Sequence, residues 1–232
     1  MYRKTYQIVL LLLMTYPLQS QSFRTIQIEF TRILSQSNSE EIFEGKIFYD
    51  GKRSILTIQK PLNQWMILEG STTLIYYPDR AKAIKITSQN PASLPFFQAF
   101  VGLITEDWGL SQLGYTIEKN DIHADTLLVY WKPPTNAEKL LGRFIIALVD
   151  NKVVLTQLFN AKNQSIVKTT FRKHIRHRTQ SFPLEVKSIL NDQGKTITEV
   201  ITYANPVFDQ LLPEKYANFQ LPADIEIREI EW

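Results

Sequence analysis

Apolar residues fall on nearly every position of LEGSTTLIYYPDRAKAIKI, the stretch from Leu68 to Ile86. It reads as strand, tight turn, strand, turn, strand. A sheet that is wet on one side needs apolar residues only at alternate positions. This stretch therefore has a second apolar surface to account for. Similar segments precede it. IQIEF at 26–30 alternates with period two, and FEGKIFYD at 43–50 sets Phe43, Ile47 and Tyr49 on one face. The strand SILTIQ follows the hairpin signal DGK at 50–52. WMILEG at 65–70, TLIYYP at 73–78 and AKAIKI at 81–86 complete a six-strand meander.

One segment changes period. ASLPFFQAFVGLITEDW at 92–108 has apolar residues at 96, 97, 100, 101, 103 and 104, which predicts a helix over 93–106. Ser93 is placed to cap it, and Pro95 suits an early helical position. Strands resume at 113–119, 126–131, 142–150, 152–160, 165–175, 183–190, 195–204 and 225–230, with one short helical turn inside 207–216. No linker, composition shift or solenoid repeat divides the chain. The expected architecture is α+β: about a dozen antiparallel strands in an open, strongly curled sheet, an unclosed β-barrel, with helices over its concave face.

The first residues stand outside this pattern. Arg3 and Lys4 form a basic start, Ile8 to Met14 is an unbroken apolar run, and Pro17 follows. Ser20 and Ser22 supply small residues for a signal peptidase, so 1–22 reads as a secretory signal peptide and 23–232 as a single mature domain. Cleavage is expected after Ser22, with Ser20 as the second choice. Without Arg3 and Lys4, 24 Lys and Arg face 23 Asp and Glu, a net charge of about +1. That balance argues against a nucleic-acid binder. The absence of cysteine excludes disulfides, thiolate ligands, a thiol nucleophile and a lipid-anchored cysteine.

Candidate chemistry is sparse. His174 and His177 lie three apart but among Arg172, Lys173, Arg176 and Arg178, which repel a cation, and His123 is alone in a turn. They read as a solvated basic strand end, or as a basic rim for headgroups or an acidic partner. No nucleophile elbow, zinc helix, phosphate-binding glycine loop or acidic metal cluster appears. Glu40, Glu41 and Glu44 read as a solvated run. No enzyme, cofactor or metal is expected. The later strands TLLVYW and FIIALV are apolar on both faces. Either a solid core covers them, which the composition alone favours, or part of the concave face lines an apolar pocket.

The order of elements carries a resemblance. A leader is followed by I-x-I-x-F at 26–30, F-E-G-K-I-F-Y at 43–49, K-P at 60–61 and E-G-S-T-T-L-I-Y-Y-P at 69–78. A Phe-rich helix comes next, and the chain ends in F-Q-L-P-A-D-I-E-I at 219–227. This order resembles the outer-membrane lipoprotein carrier family, the LolA-type lipoprotein-sorting proteins. Its most specific piece is the hairpin around Gly70, Leu74, Tyr77 and Pro78. Members of that family fold as an open β-barrel with a helix-covered concave face. They hold lipoprotein acyl chains there and make or break no bond.

The resemblance implies a periplasmic carrier that moves lipoproteins from the inner to the outer membrane. Its implied partners are acylated lipoproteins, an inner-membrane lipoprotein-releasing transporter and an outer-membrane receptor. The implied cavity liners are Trp65, Ile67, Leu74 and Tyr76 on the meander, Phe96, Phe97, Phe100 and Ile104 on the helix, and Leu127, Val129, Trp131, Phe144 and Ile146 on later strands. The family's lid is latched by the arginine of an Arg-Pro pair. Here the region reads D-G-K-R-S with no proline, which leaves Lys52 and Arg53 as latch candidates. Little chain remains before Ile26 for an N-terminal lid helix, and 183–204 looks like extra sheet. Two other classes stand beside the carrier: a periplasmic lipid-sensing or interaction module on the same scaffold, and a lipid-processing hydrolase.

Overall fold

The computed structural model describes residues 23–37, 39–87, 107–111, 113–139, 141–192 and 194–231. The expected leader and the expected helix over 93–106 lie outside these residues. The strands, in chain order, are β1 (Ile26–Gln36), β2 (Ser39–Tyr49), β3 (Arg53–Lys60), β4 (Gln64–Glu69), β5 (Thr72–Tyr77), β6 (Lys82–Thr87) and β7 (Thr116–His123). They continue as β8 (Thr126–Lys132), β9 (Leu141–Val149), β10 (Lys152–Asn160), β11 (Ser165–His177), β12 (Gln180–Asp192), β13 (Lys195–Phe208) and β14 (Glu226–Glu231). All join one sheet in the order β14-β6-β5-β4-β3-β2-β1-β13-β12-β11-β10-β9-β8-β7. The edges β14 and β7 lie at opposite ends of that order, so the sheet is open. Its pairs are antiparallel apart from β14, which runs parallel to β6.

The six expected meander strands and the eight later ones are all present, several of them longer than expected. Helices over the concave face are not supported. Among the described residues the helical elements are a 3-10 turn, Pro78–Arg80, and one short helix, α1 (Glu214–Ala217). The former joins two strands, and the latter packs on the opposite side of the sheet from the main core.

Local chemistry explains the turns. At the expected hairpin, Asp50 Oδ1 accepts from the backbone N–H of Lys52 (3.0 Å) and Arg53 (2.7 Å), and Gly51 takes φ +90°. Between β9 and β10, Asp150 and Asn151 are both left-handed, with φ of 49° and 61°. Two such residues in a row are what a type I′ turn requires. The expected strand 195–204 runs on to Phe208 because Asn205, at φ 50°, and Pro206 are absorbed in a bulge opposite Ile28, between the Gln27–Val207 and Glu29–Ala204 pairs.

The strand expected from 113 begins at Thr116. Before it, Asp107 organises a tight turn. Its carboxylate accepts from Gly109 N (3.0 Å) and Ser111 N (3.1 Å), and Tyr115 N donates to Leu110 O at 2.9 Å. Burial alone would raise the Asp107 carboxyl, but the bonds from Ser111 and Gly109 outweigh it and hold the group below its ordinary range.

Most of the core lies on one face of this sheet. Ile28 pairs with Ile47, Ile47 with Leu56 and Leu56 with Met66 on one side of β1; Val186 pairs with Ile201 and with Phe171 on the other. Directly paired residues point the same way, so these form continuous rows, here termed the core face. Ile26 and Phe182 are fully buried in it, at 0% exposure. Phe23 covers this region. It stacks on Phe208 (4.8 Å between ring centroids) and meets Phe182 edge-on at 6.1 Å. At Gly45 an added Cβ would strike the Thr57 carbonyl oxygen and, at 2.9 Å, the Phe30 ring, so this glycine makes room for the neighbouring backbone and for the aromatic opposite it.

Candidate functional site

The sheet carries two further apolar regions, and the register decides which residues belong to each. On β4 and β5, Trp65 pairs with Tyr76 and Ile67 with Leu74; Ile67 also pairs with Ile55, which pairs with Phe48. These residues share the back face, opposite Leu56, Met66 and Leu68. The second apolar surface of the opening meander is therefore the back face, and the chain itself covers it. Leu212, Tyr216, Phe219, Leu221 and Ile225, from the segment between β13 and β14, pack onto Phe48, Ile55, Trp65, Ile67, Leu74, Tyr76 and Ala83.

This C-terminal strap is held by rings and by one guanidinium. Tyr216 stacks on Phe48 with 3.7 Å between centroids, and Phe219 lies 5.0 Å from Trp65. Lys215 Nζ sits 4.8 Å from the Trp65 ring centre. Arg53 Nη2 donates to the carbonyls of Tyr216 (3.1 Å) and Ala217 (2.6 Å), and Nη1 to Phe219 O (3.3 Å). The helix α1 has too few turns to satisfy its own last carbonyls, and Arg53 supplies the missing donors. Of the two latch candidates, Arg53 thus holds a segment in place. It is a different segment from the Phe-rich helix, and it lies on the back face. Lys52 lies exposed in the hairpin turn.

The expected liners of the later strands lie on the core face, toward the β7 edge. Trp131 pairs with Phe144, Val129 with Ile146 and Leu127 with Leu148. Leu110 and Tyr115, from the turn at 107–115, are buried against Trp131 and Ile146, and Trp108 lies 5.1 Å from Phe171 ring to ring. Tyr115 donates its hydroxyl to Gly142 O at 3.3 Å. The Trp131 indole Nε1 is buried with no hydrogen-bond partner.

A polar row crosses this face between two apolar ones. Glu199, Ser188, Thr169 and Thr156 are successive cross-strand partners on β13, β12, β11 and β10. Arg32 Nε donates to Glu199 Oε1 at 2.6 Å, and the Thr169 and Ser188 hydroxyls are bonded at 3.0 Å. Burial, with the Glu199 charge nearby, pushes the Tyr203 phenol well above its ordinary value. On one side of the row lie Ile201, Val186 and Phe171, all tightly buried. On the other lie Ile197, Leu190, Val167, Leu158 and Phe144, paired in that order and only half-buried. Apart from Phe144, this half-buried row was not anticipated. Its signal is the alternation of Thr156 with Leu158 and of Val167 with Thr169 along adjacent strands.

The thirteen expected liners thus fall into three sets. Leu127, Val129, Trp131, Phe144 and Ile146 come together on the core face. Trp65, Ile67, Leu74 and Tyr76 come together on the back face under the strap, so the two sets do not line one space. Phe96, Phe97, Phe100 and Ile104 lie outside the described residues.

The histidines also differ from expectation. His177 is not a solvated strand end. Its ring lies 4.9 Å from Phe208, and its Nε2 is 2.9 Å from Asp209 Oδ2. Asp209 also accepts from Arg24 N (2.9 Å) and pairs with Arg178 (2.9 Å). Burial would raise this carboxyl, but the His177 and Arg24 bonds and the Arg178 charge hold it below its ordinary value. His174 Nε2 meets Val153 O at 2.9 Å, and burial lowers its pKa.

A cavity of about 390 Å³ lies on the back face beside the strap. Gln27, Glu29, Lys46, Gln59 and Asn205 line it together with Ile28, Phe48, Val207, Pro213 and Tyr216, so its wall is mixed polar and apolar. Among the described residues, no group of three or more His, Asp or Glu is placed to hold a metal, and no helix is long and apolar enough to cross a membrane.

No protein-family model matches the sequence, and no curated protein does. Solved structures do match in fold. A LolA superfamily protein from Nitrosomonas europaea aligns with a TM-score of 0.59 at 12% identity, over 82% of this chain and 88% of that one. A putative outer membrane lipoprotein-sorting protein domain from Vibrio parahaemolyticus aligns at 0.63 and 10% identity, over 84% and 90%. A DUF1329 family protein from Desulfovibrio piger aligns at 0.63 and 13% identity, over 85% and 91%. The chain therefore has the fold of lipoprotein-sorting domains.

Proposed function

We propose that this protein is a periplasmic carrier that binds the acyl chains of lipoproteins on the core face of its sheet and moves them from the inner to the outer membrane. The observation that carries the reading is the half-buried apolar row Ile197, Leu190, Val167, Leu158 and Phe144 on that face. Burying one methylene is worth about 0.8 kcal/mol, so an acyl chain does not leave a membrane without such a surface. The surface must also release its cargo, which favours apolar contact over many directional bonds. The fold shared with lipoprotein-sorting domains supports the same reading.

In this reading the turn at 107–115 acts as the movable cover, and the strapped back face is a fixed part of the scaffold. An inner-membrane lipoprotein-releasing transporter supplies the cargo, an outer-membrane receptor accepts it, and no bond is made or broken. The test is to express the full chain, purify it from the periplasmic fraction, extract it with organic solvent and identify the extract by mass spectrometry. Acylated peptides are the expected result. Free lipid together with a stable partner protein would replace the carrier with a lipid-sensing module, turnover of added lipid would indicate an enzyme, and the absence of any lipid would end the reading.

A further inference from the structure

We infer that the indole N–H of Trp131 is the docking point for the carbonyl oxygen of an ester- or amide-linked acyl chain on the core face. The inference rests on the acyl-binding reading above and names the chemical group the site recognises. Trp131 is 7% exposed, and its Nε1 has no partner. Buried donors are almost always paired, because an unpaired one loses its hydration without recompense. Among the described residues, no side chain around it is bonded to it as an acceptor. Ile117 and Phe144 pair with it across the sheet, and Leu110, Tyr115 and Ile146 pack beside it. The Tyr115 hydroxyl donates to Gly142 O and does not accept from the indole.

The occupant that suits this donor brings one acceptor and is otherwise apolar. A lone water does not suit it, since buried water needs two to four polar partners. A free carboxylate or a phosphate does not suit it either, because a buried anion needs a positive partner. The core-face residues of β7 to β10 paired around Trp131 are Ile117, Asn120, Ile122, Leu127, Val129, Phe144, Ile146, Leu148, Thr156 and Leu158, and none carries a charge. A carbonyl flanked by hydrocarbon fits: the head of an acyl chain in ester or amide linkage. The turn at 107–115, which now covers Trp131, must move to admit it. An ether-linked alkyl chain has the same hydrocarbon and lacks the carbonyl oxygen, keeping only a weaker acceptor set closer to the glycerol.

The test uses the mature chain with a short-chain diacyl glycerophosphocholine and its dialkyl ether analogue, each below its micelle concentration, in calorimetric titrations. The native protein should bind the ester about tenfold more tightly than the ether, the scale of one hydrogen bond to a donor otherwise left unpaired. Trp131→Phe keeps the ring and removes the donor, and it should bind both lipids equally at the native protein's ether affinity. Equal binding of ester and ether by the native protein overturns the inference without any variant, and so does a preference that survives in Trp131→Phe. Failure to bind either lipid overturns the acyl-binding reading and this inference with it.

Discussion

Two apolar patches of similar make-up meet opposite fates on this sheet. The back-face patch of Phe48, Ile55, Trp65, Ile67, Leu74 and Tyr76 is closed by a strap of the same chain, ring against ring, with Arg53 bonding the strap's carbonyls. The core-face rows of β8 to β13 are closed unevenly. They keep a half-buried line from Ile197 to Phe144 and an unpaired indole N–H. A patch whose cover is stacked ring on ring and has three of its carbonyls bonded by one guanidinium is built to stay shut. A patch that leaves polar capacity unused has room for something else. The comparison separates scaffold from site without appeal to hydrophobicity, which is alike in both.

The largest effect should come from breaking the sealed patch. Trp65→Ala removes the ring that meets Tyr76, Tyr216 and Phe219. It should lower stability by about 3–5 kcal/mol in urea unfolding, the usual cost of emptying a buried aromatic site. A loss below about 1 kcal/mol would show that the strap is not seated and that the back face is no more closed than the core face.

Next comes the latch. Arg53→Met keeps the aliphatic stem and removes the three bonds to Tyr216, Ala217 and Phe219. The expected loss is about 1.5–3 kcal/mol, because these bonds are charge-assisted and act as one unit. Arg53→Lys should recover little of it, since an ammonium cannot reproduce the fork. Hydrogen exchange should accelerate at Ala217, Asn218 and Phe219, whose N–H groups bond within the strap, while the β1–β13 ladder stays protected. Unchanged exchange in the strap would mean that the rings hold it alone.

Much of this arrangement was legible in the sequence, and the illegible part has a physical reason. Strands bounded by DGK, DNK and NAKNQ were readable because turn residues have fixed conformational demands. The facing of β4 was not. In WMIL both Trp65 and Ile67 on one side and Met66 and Leu68 on the other are apolar, so period two gives no direction, and a one-residue change moves every side chain across the sheet. That is why four expected liners joined the five core-face ones on paper and lie across the sheet from them in the structure. Arg53 could be named, beside Lys52, only from the resemblance, as standing where the family has its latch arginine, and its target could not, because Tyr216 and Phe219 are distant in sequence and look like loop residues. The orphan N–H of Trp131 is a property of packing alone.

A smaller effect tests the knot where the strap begins. Asp209 binds Arg24 N, His177 and Arg178 at the exit of β13. Its carboxyl is held below its unfolded value. The stability it contributes is therefore fully present above the ordinary carboxylate range, near about pH 4, and is lost as pH falls through the lowered value. Asp209→Asn should cost about 1–2 kcal/mol at pH 7, discounted for its position near solvent. Urea midpoints of the native and variant proteins should converge as the pH is lowered toward 3. Parallel curves across that range would mean that the carboxylate charge contributes nothing to the knot.

The smallest expected change in stability is on the core face, and it carries the most weight for the comparison. Leu158→Glu and Val167→Glu introduce charge in the row beside Thr156 and Thr169, at positions the fold leaves half-buried. A side chain that already meets solvent can turn its carboxylate outward, so each substitution should cost about 1 kcal/mol or less. Lipid loading should nevertheless collapse, because a carboxylate lining an apolar site must be desolvated when the acyl chain enters. Stability measured by urea and bound lipid measured by mass spectrometry then move independently. If Leu158→Glu instead destabilises the protein as much as Trp65→Ala, the row is ordinary core and the two patches do not differ. If it leaves both stability and lipid loading intact, the row is ordinary surface, and the acyl chains, where they bind, lie elsewhere on the sheet.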